Sequence, residues 1–189
     1  VVFGVLTLML DQGLSFPEAV LVLSQIRTSV GYGSHVPTTP GLKIFHSLHA
    51  LVGLLLAAGI PNTMADQAVY MTERLTAKFT RQNKLAMALA PLTVEFALAS
   101  WGYAADLEST SDSYDGNILK ALGDSLYLTL MTVTTVGYGD LAPTTALGQL
   151  LSPFWMTYGV EAFGKMQSFL DKGKLDKPDS ITFCSVLGK

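Results

Sequence analysis

Apolar runs alternate with short polar segments along this chain, and three of the runs approach membrane-spanning length. Residues 42–60, 85–105 and 146–170 each come close to or exceed the ~20 helical residues that cross a bilayer core. Residues 16–28 and 119–134 are apolar but too short to cross, which predicts half-spanning helices buried against protein. Residues 1–10 are interpreted as the end of an outer helix that begins upstream.

Composition agrees with a membrane protein. Hydrophobic residues make up 49% of the chain and charged residues 14%, against roughly a quarter charged in ordinary soluble domains. No phosphate-binding loop, catalytic triad or cysteine-rich metal pattern is present, so the sequence predicts a protein that is not an enzyme. Cys184 is the single cysteine, which excludes a disulfide framework.

The charges are distributed unevenly. Two segments are basic, and by the positive-inside rule they are expected on the cytoplasmic or stromal side: residues 61–84, with Arg74, Lys78, Arg81 and Lys84, and the C-terminal end, with Lys165, Lys172, Lys174, Lys177 and Lys189. Residues 11–18 and 106–124 hold seven acids and one base. These acids either concentrate cations at a pore mouth or merely keep the loops solvated.

The chain contains an internal duplication. Adding 106 to the residue number pairs identical residues without a gap: Thr28 with Thr134, Val30 with Val136, Tyr32 with Tyr138, Pro37 with Pro143, and Gly53 with Gly159. This period is longer than the roughly 20–50 residues of solenoid repeats. It indicates two copies of one membrane unit.

Each copy contains Val-Gly-Tyr-Gly preceded by two hydroxyl residues. In a potassium filter, backbone carbonyls replace the hydration shell of the ion, and glycines allow the necessary backbone angles. The predicted filter residues are Thr28, Ser29, Val30, Gly31, Tyr32 and Gly33 in the first copy, and Thr134, Thr135, Val136, Gly137, Tyr138, Gly139 and Asp140 in the second.

These motifs resemble those of tandem-pore (two-pore-domain) potassium channels, and residues 129–140 are close to that family's pattern. The resemblance implies an all-α membrane protein with a duplicated helix–pore loop–helix fold and a truncated first outer helix. It divides the chain into a first pore unit (1–60), a basic loop (61–84), a second pore unit (85–170) and a polar tail (171–189). The function that it implies is passive, selective conduction of K⁺.

A filter requires four strands and this chain supplies two, so a homodimer within a lipid bilayer is expected. K⁺ ions would occupy the filter. Nothing in the sequence indicates a nucleic-acid partner. Gly53 and Gly159, at matching positions in the inner helices, are predicted either to bend or to allow close helix packing.

Some residues fit a working channel less well. Arg27 stands where the second copy has Val133, and Ser34 stands where it has Asp140. Arg27 either pairs with a carboxylate such as Glu95 or Glu161, or marks a filter that no longer conducts.

His46 and His49 lie three residues apart in a predicted span. They either form hydrogen bonds between helices or ligate a metal, haem or pigment, with Glu95 and Glu161 as further candidate ligands. The alternative function is therefore a non-conducting, channel-like subunit of a larger membrane complex, for instance a pigment-contacting photosynthetic one.

Overall fold

The computed structural model describes residues 2–59, 63–80, 84–110, 114 and 117–175. The described residues form seven helices: α1 Val2–Gln12, α2 Phe16–Thr28, α3 Pro40–Gly59, α4 Thr63–Thr80, α5 Lys84–Thr110, α6 Ile118–Val133 and α7 Ala146–Leu175. The prediction of an all-α protein is confirmed for this part of the chain.

Two triplets of helices, α1–α3 and α5–α7, have the same order of elements along the chain. The short helices α2 and α6 each end just before a Val-Gly-Tyr-Gly segment, and the long helices α3 and α7 begin a few residues after it. Residues 16–28 and 119–134 were the predicted half-spanning helices, and the structure places α2 and α6 there.

Local sequence signals fix where α2 and α6 begin. The Glu18 carboxylate accepts hydrogen bonds from the Ser15 backbone N–H and from its hydroxyl, both at 2.8 Å. Pro17 lies in the first turn of α2, where a missing N–H costs nothing. At α6, the Asn117 side chain accepts from the Lys120 N–H at 3.2 Å, as helix N-caps do.

The three predicted spans coincide with α3, α5 and α7. Among the described residues, however, no helix combines the length and the apolarity that crossing a membrane requires.

Residues 61–84 were expected to be a loop, whereas 18 of them form helix α4. Ala65 and Val69 lie one turn apart and are buried, and α4 packs against both α5 and α7. An i, i+4 apolar stripe that finds a partner surface favours a helix over a loop. Arg74 remains exposed. Residues 176–189, most of the predicted tail, lie outside the described part of the chain.

The helices pack so that the two triplets interlock. Helix α2 contacts α1 and α3 of its own triplet and also α7 of the other. The largest cores join Leu21 of α2 to Leu128 of α6 and Met156 of α7, and Leu8 of α1 to Val22 and Leu23 of α2. This packing brings the ends of α2 and α6, and therefore the segments that follow them, close together.

The hydrogen bonds that Ser15 donates, its backbone N–H foremost, lower the pKa of Glu18. A lowered pKa means that ionised Glu18 stabilises the fold above its ordinary pKa, and that this stability is lost as the pH falls. We expect Glu18→Gln to lower the unfolding free energy at neutral pH by about 0.5 kcal/mol, because the site is largely solvated.

Thermal unfolding at about pH 6 and about pH 3 measures the effect. The wild-type protein should lose more stability on acidification than Glu18→Gln does. Equal losses in the two proteins would contradict the assignment.

Candidate functional site

The backbone of the two Val-Gly-Tyr-Gly segments alternates in handedness. In the first segment φ is +59° at Ser29, +58° at Gly31 and +69° at Gly33. The second segment repeats this with +59° at Thr135, +52° at Gly137 and +76° at Gly139, and the valines and tyrosines between them have negative φ. Alternation of positive and negative φ along a strand turns successive carbonyls toward one side, as an ion-coordinating column requires.

The two segments lie side by side. A Cβ atom added at Gly137 would overlap the Val30 carbonyl oxygen, and one added at Gly139 would overlap the Tyr32 carbonyl oxygen. These obstacles are backbone atoms, so they cannot move aside as a flexible side chain could. Both glycines are therefore required by their positive φ and by the neighbouring strand.

Tyr32 anchors the first Val-Gly-Tyr-Gly segment to the helices behind it. Its hydroxyl shares a buried hydrogen bond with Thr132 on α6. Because Thr132 Oγ1 donates to the Leu128 carbonyl at 2.6 Å, Tyr32 is the donor of the shared bond. The ring packs with Tyr103 of α5 and Met156 of α7.

The two segments are held differently at their exits. In the second, Tyr127 of α6 donates a hydrogen bond to the Asp140 carboxylate at 3.0 Å. In the first, Ser34 takes the place of Asp140 and accepts from the Gln25 side chain of α2 at 3.3 Å. Asp140, which the sequence placed at the end of the second predicted filter, therefore has a specific partner that sequence reasoning did not identify.

A second carboxylate, Asp106 in the last turns of α5, holds the residues that follow the second Val-Gly-Tyr-Gly segment. It accepts from the backbone N–H groups of Thr144 at 2.9 Å and Thr145 at 3.1 Å, and from the Thr145 hydroxyl. The same Thr145 hydroxyl oxygen accepts from the Gly148 N–H at 3.0 Å and so caps α7. The sequence showed Asp106 only as one of several acids, because its partners lie almost 40 residues away.

The two segments differ strongly in exposure. Val30 and Tyr32 are 2% and 4% exposed, whereas Val136 and Tyr138 are 47% and 71% exposed. The Val and Tyr side chains of the first segment are thus enclosed by their own chain, whereas those of the second face outward.

A family model described as ion channel matches residues 1–70 and 92–166. The chain belongs to the ion channel family. This family is not enzymatic, so the prediction that the chain is not an enzyme is confirmed.

The relatives include plant two-pore potassium channels. Two-pore potassium channel 5 of Arabidopsis thaliana is 27% identical over 175 residues, which cover 79% of this chain and 41% of that channel. Two pore potassium channel a of Oryza sativa subsp. japonica is 27% identical over 137 residues, covering 68% and 40%. The calcium-activated potassium channel slo-1 of Caenorhabditis elegans is 35% identical over 104 residues, covering 53% and 9%.

These matches confirm the predicted relationship to two-pore potassium channels. The chain spans about two fifths of the length of the two plant channels.

The remaining predicted filter residues are Thr28 and Thr134, at the ends of the short helices. Their hydroxyls donate back to the carbonyls of Ser24 at 2.8 Å and Leu130 at 2.7 Å. Both side chains thus complete the last helical turn. The backbone N–H of the following residue, Ser29 or Thr135, donates to the carbonyl three residues earlier.

The two hinge candidates have different surroundings. A Cβ on Gly159 would lie 3.1 Å from a carboxylate oxygen of Glu95, tighter than an ordinary contact, whereas one on Gly53 would lie 3.7 Å from the Arg27 side chain. Close helix packing therefore accounts for Gly159. Glu95 is 2% exposed, and its Oε2 atom has no hydrogen-bond partner among the described residues. Glu161 lies one half-turn beyond Gly159 on α7 and is half-buried.

Arg27 lies beside α3, the helix that carries both histidines. The expected pair between Arg27 and Glu95 does not form among the described residues, where Glu95 lies beside Val133. The alternative pair with Glu161 stays a prediction. His49 stacks on Phe45 with ring centroids 5.7 Å apart, and the Nε2 atoms of His46 and His49 are buried without partners in the described structure. No cluster of three or more metal-ligating side chains occurs among the residues that the structure describes.

The Asp106 anchor can be tested directly. Asp106→Ala leaves two N–H groups at the start of α7 without an acceptor, so we expect a loss of about 1–3 kcal/mol in the unfolding free energy. Asp106→Asn retains one acceptor oxygen and should lose less. Denaturant unfolding of the purified protein measures both, and equal stability of Asp106→Ala and wild type would refute the anchor.

Proposed function

We propose that this protein is a subunit of a potassium-selective channel that conducts K⁺ passively. The observation that carries the proposal is the pair of adjacent filter segments with the same alternating backbone handedness. Carbonyls turned toward one axis replace the water shell of a K⁺ ion without any charged side chain. K⁺ is the transported ion in this proposal, and the names of the relatives support it.

We further propose that two chains complete the filter. One chain contributes two strands, and a ring requires four. The unequal exposure of Tyr32 and Tyr138 supports a dimer, because the second segment has the same sequence as the first but lacks equivalent cover. A two-fold axis would place the Tyr138 segment of each chain against α2 of its partner.

The exposed apolar faces fit this arrangement. Helix α2 packs on α7, the inner helix of the other triplet, but among the described residues α6 has no comparable contact with α3. Leucines at one-turn intervals on α6, Leu122, Leu126 and Leu130, are exposed, and so are Ile44, Leu48 and Leu51 on α3. In the proposed dimer these faces meet the partner chain and lipid, and the basic 61–84 segment lies on the cytoplasmic or stromal side.

A second candidate remains the non-conducting subunit of a larger membrane complex. The observation that favours it is the buried, unpartnered Nε2 atoms of His46 and His49, together with the charge of Arg27 at the end of α2. In that case the complex would contain one copy, bound to unrelated subunits.

Gly137→Ala tests the filter. The added methyl group would overlap the Val30 carbonyl, and the alanine would have to adopt a positive φ. We therefore expect K⁺ over Na⁺ selectivity to fall by about 10-fold or more. Gly123→Ala is the matched control, since a Cβ there meets nothing within 4 Å. Flux into proteoliposomes measures the ratio. Wild-type flux that does not distinguish K⁺ from Na⁺ would contradict the proposal.

Copy number separates the two candidate functions. We expect the mass of the purified protein in mild detergent, or chemical cross-linking in native membranes, to give an even number of copies. One copy per complex among unrelated subunits would exclude the dimeric channel and support the second candidate.

A further inference from the structure

Tyr32 occupies a slot that ties the first filter segment to α6. The slot combines a hydrogen bond to Thr132 with burial among Tyr103, Leu128 and Met156. A second hydroxyl pair, Ser100 and Thr129, lies deeper between α5 and α6, with the oxygens 3.2 Å apart. Hydroxyl groups therefore line the face of α6 behind the first filter segment.

The internal repeat identifies what Tyr138 would meet in the partner chain. Subtracting 106 replaces Thr132 by Ile26 and Thr129 by Leu23. Both lie on α2, in an apolar cluster with Val22 of α2 and Leu8 of α1. The nearby polar side chain of Gln25 donates to Ser34 of its own chain. The two positions of α2 that correspond to Thr132 and Thr129 therefore offer Tyr138 no hydroxyl.

We propose that Thr132 is a positioning residue that holds only two of the four filter strands. The structure that supports the filter then has two-fold rather than four-fold symmetry. The two Tyr32 strands are fastened behind the ring by a buried hydrogen bond, and the two Tyr138 strands are held there only by apolar contact. The Tyr138 strands keep their separate attachment at the exit, from Asp140 to Tyr127, and that bond is exposed. This inference rests on the dimeric channel proposed above.

The unequal support has a measurable consequence. Bound K⁺ stabilises the conducting arrangement of the filter by mass action, so a strand that is less firmly held requires more K⁺ to remain conducting. Removing the Tyr32 anchor should therefore raise the K⁺ concentration at which half of the flux is retained. Adding an anchor for Tyr138 should lower it.

Four single variants in proteoliposomes test the inference. Thr132→Val, which keeps the shape of the side chain, and Tyr32→Phe should each raise that K⁺ concentration by about 2- to 10-fold, as expected for one buried hydrogen bond. Tyr138→Phe should raise it much less than Tyr32→Phe does, because it removes no hydrogen bond behind the filter. Ile26→Thr, which copies the second repeat, should lower it, and adding Tyr138→Phe to Ile26→Thr should cancel the gain.

Two results would overturn the inference: a Tyr138→Phe effect as large as that of Tyr32→Phe, or an Ile26→Thr gain that survives Tyr138→Phe. If Thr132→Val does not fold, Tyr32→Phe alone decides the first arm, because its ring still fills the slot. Combining Tyr32→Phe with Thr132→Val should add nothing to either single change, since both remove the same bond.

Cross-linking distinguishes a wrong slot from a wrong function. In a Cys184→Ser background, Ile26→Cys with Tyr138→Cys should give a dimer with a short thiol–thiol cross-linker, and Ile26→Cys with Tyr32→Cys should give none between chains. If the dimer cross-links but the wild-type protein passes no K⁺, the proposed conduction is wrong and the contact between Tyr138 and α2 of the partner chain stands. If the wild-type protein conducts K⁺ but the cross-link does not form, that contact is wrong and the channel function stands.

Discussion

The carbonyls of an extended segment face one side where positive and negative φ alternate, and the architecture around the two Val-Gly-Tyr-Gly segments meets this constraint. Glycine adopts the left-handed conformation readily, but Ser29 and Thr135 adopt it too, with φ of +59°. Such residues cost of order 1–3 kcal/mol each. The short helices α2 and α6 lead directly into them, and backbone N–H groups at Ser29 and Thr135 bond to the last helical turn.

Strained segments persist only where the surrounding structure determines them more strongly than the strain opposes them. Here the restraint comes from outside the segments. Tyr32 is enclosed by α5, α6 and α7, Asp140 is held by Tyr127, and Asp106 fixes the start of α7. The Tyr32 and Asp106 restraints join a Val-Gly-Tyr-Gly segment or its exit to helices from another part of the chain, whereas Tyr127 lies on the short helix that leads into the same segment. Helix packing and the filter conformation therefore stabilise each other.

The two repeats have the same backbone conformation, but different side chains hold it in place. Carboxylates hold the second repeat at its exit and at the start of α7, whereas Gln25 and Ser34 hold the first. Arg27 lies beside Gly53, and Glu95 lies beside Gly159. Duplication accounts for the common geometry, and divergence of the supporting residues makes the two strands chemically unequal. A dimeric channel built from this chain would inherit that inequality.

The sequence by itself predicted six of the seven helices in the described part of the chain and located the two Val-Gly-Tyr-Gly segments. The 106-residue repeat, the positions of α2 and α6, and the left-handed glycines Gly31 and Gly137 follow from local chemistry, which needs only neighbouring residues. Helix α4 was not predicted because its segment was interpreted from its basic side chains. Its apolar stripe stabilises a helix only when it packs against α5 and α7. Tertiary structure alone decided that Tyr32 bonds to Thr132 and that Asp106 holds the two residues before α7. These partners lie 100 and almost 40 residues apart, and no local pattern connects groups that only packing brings together.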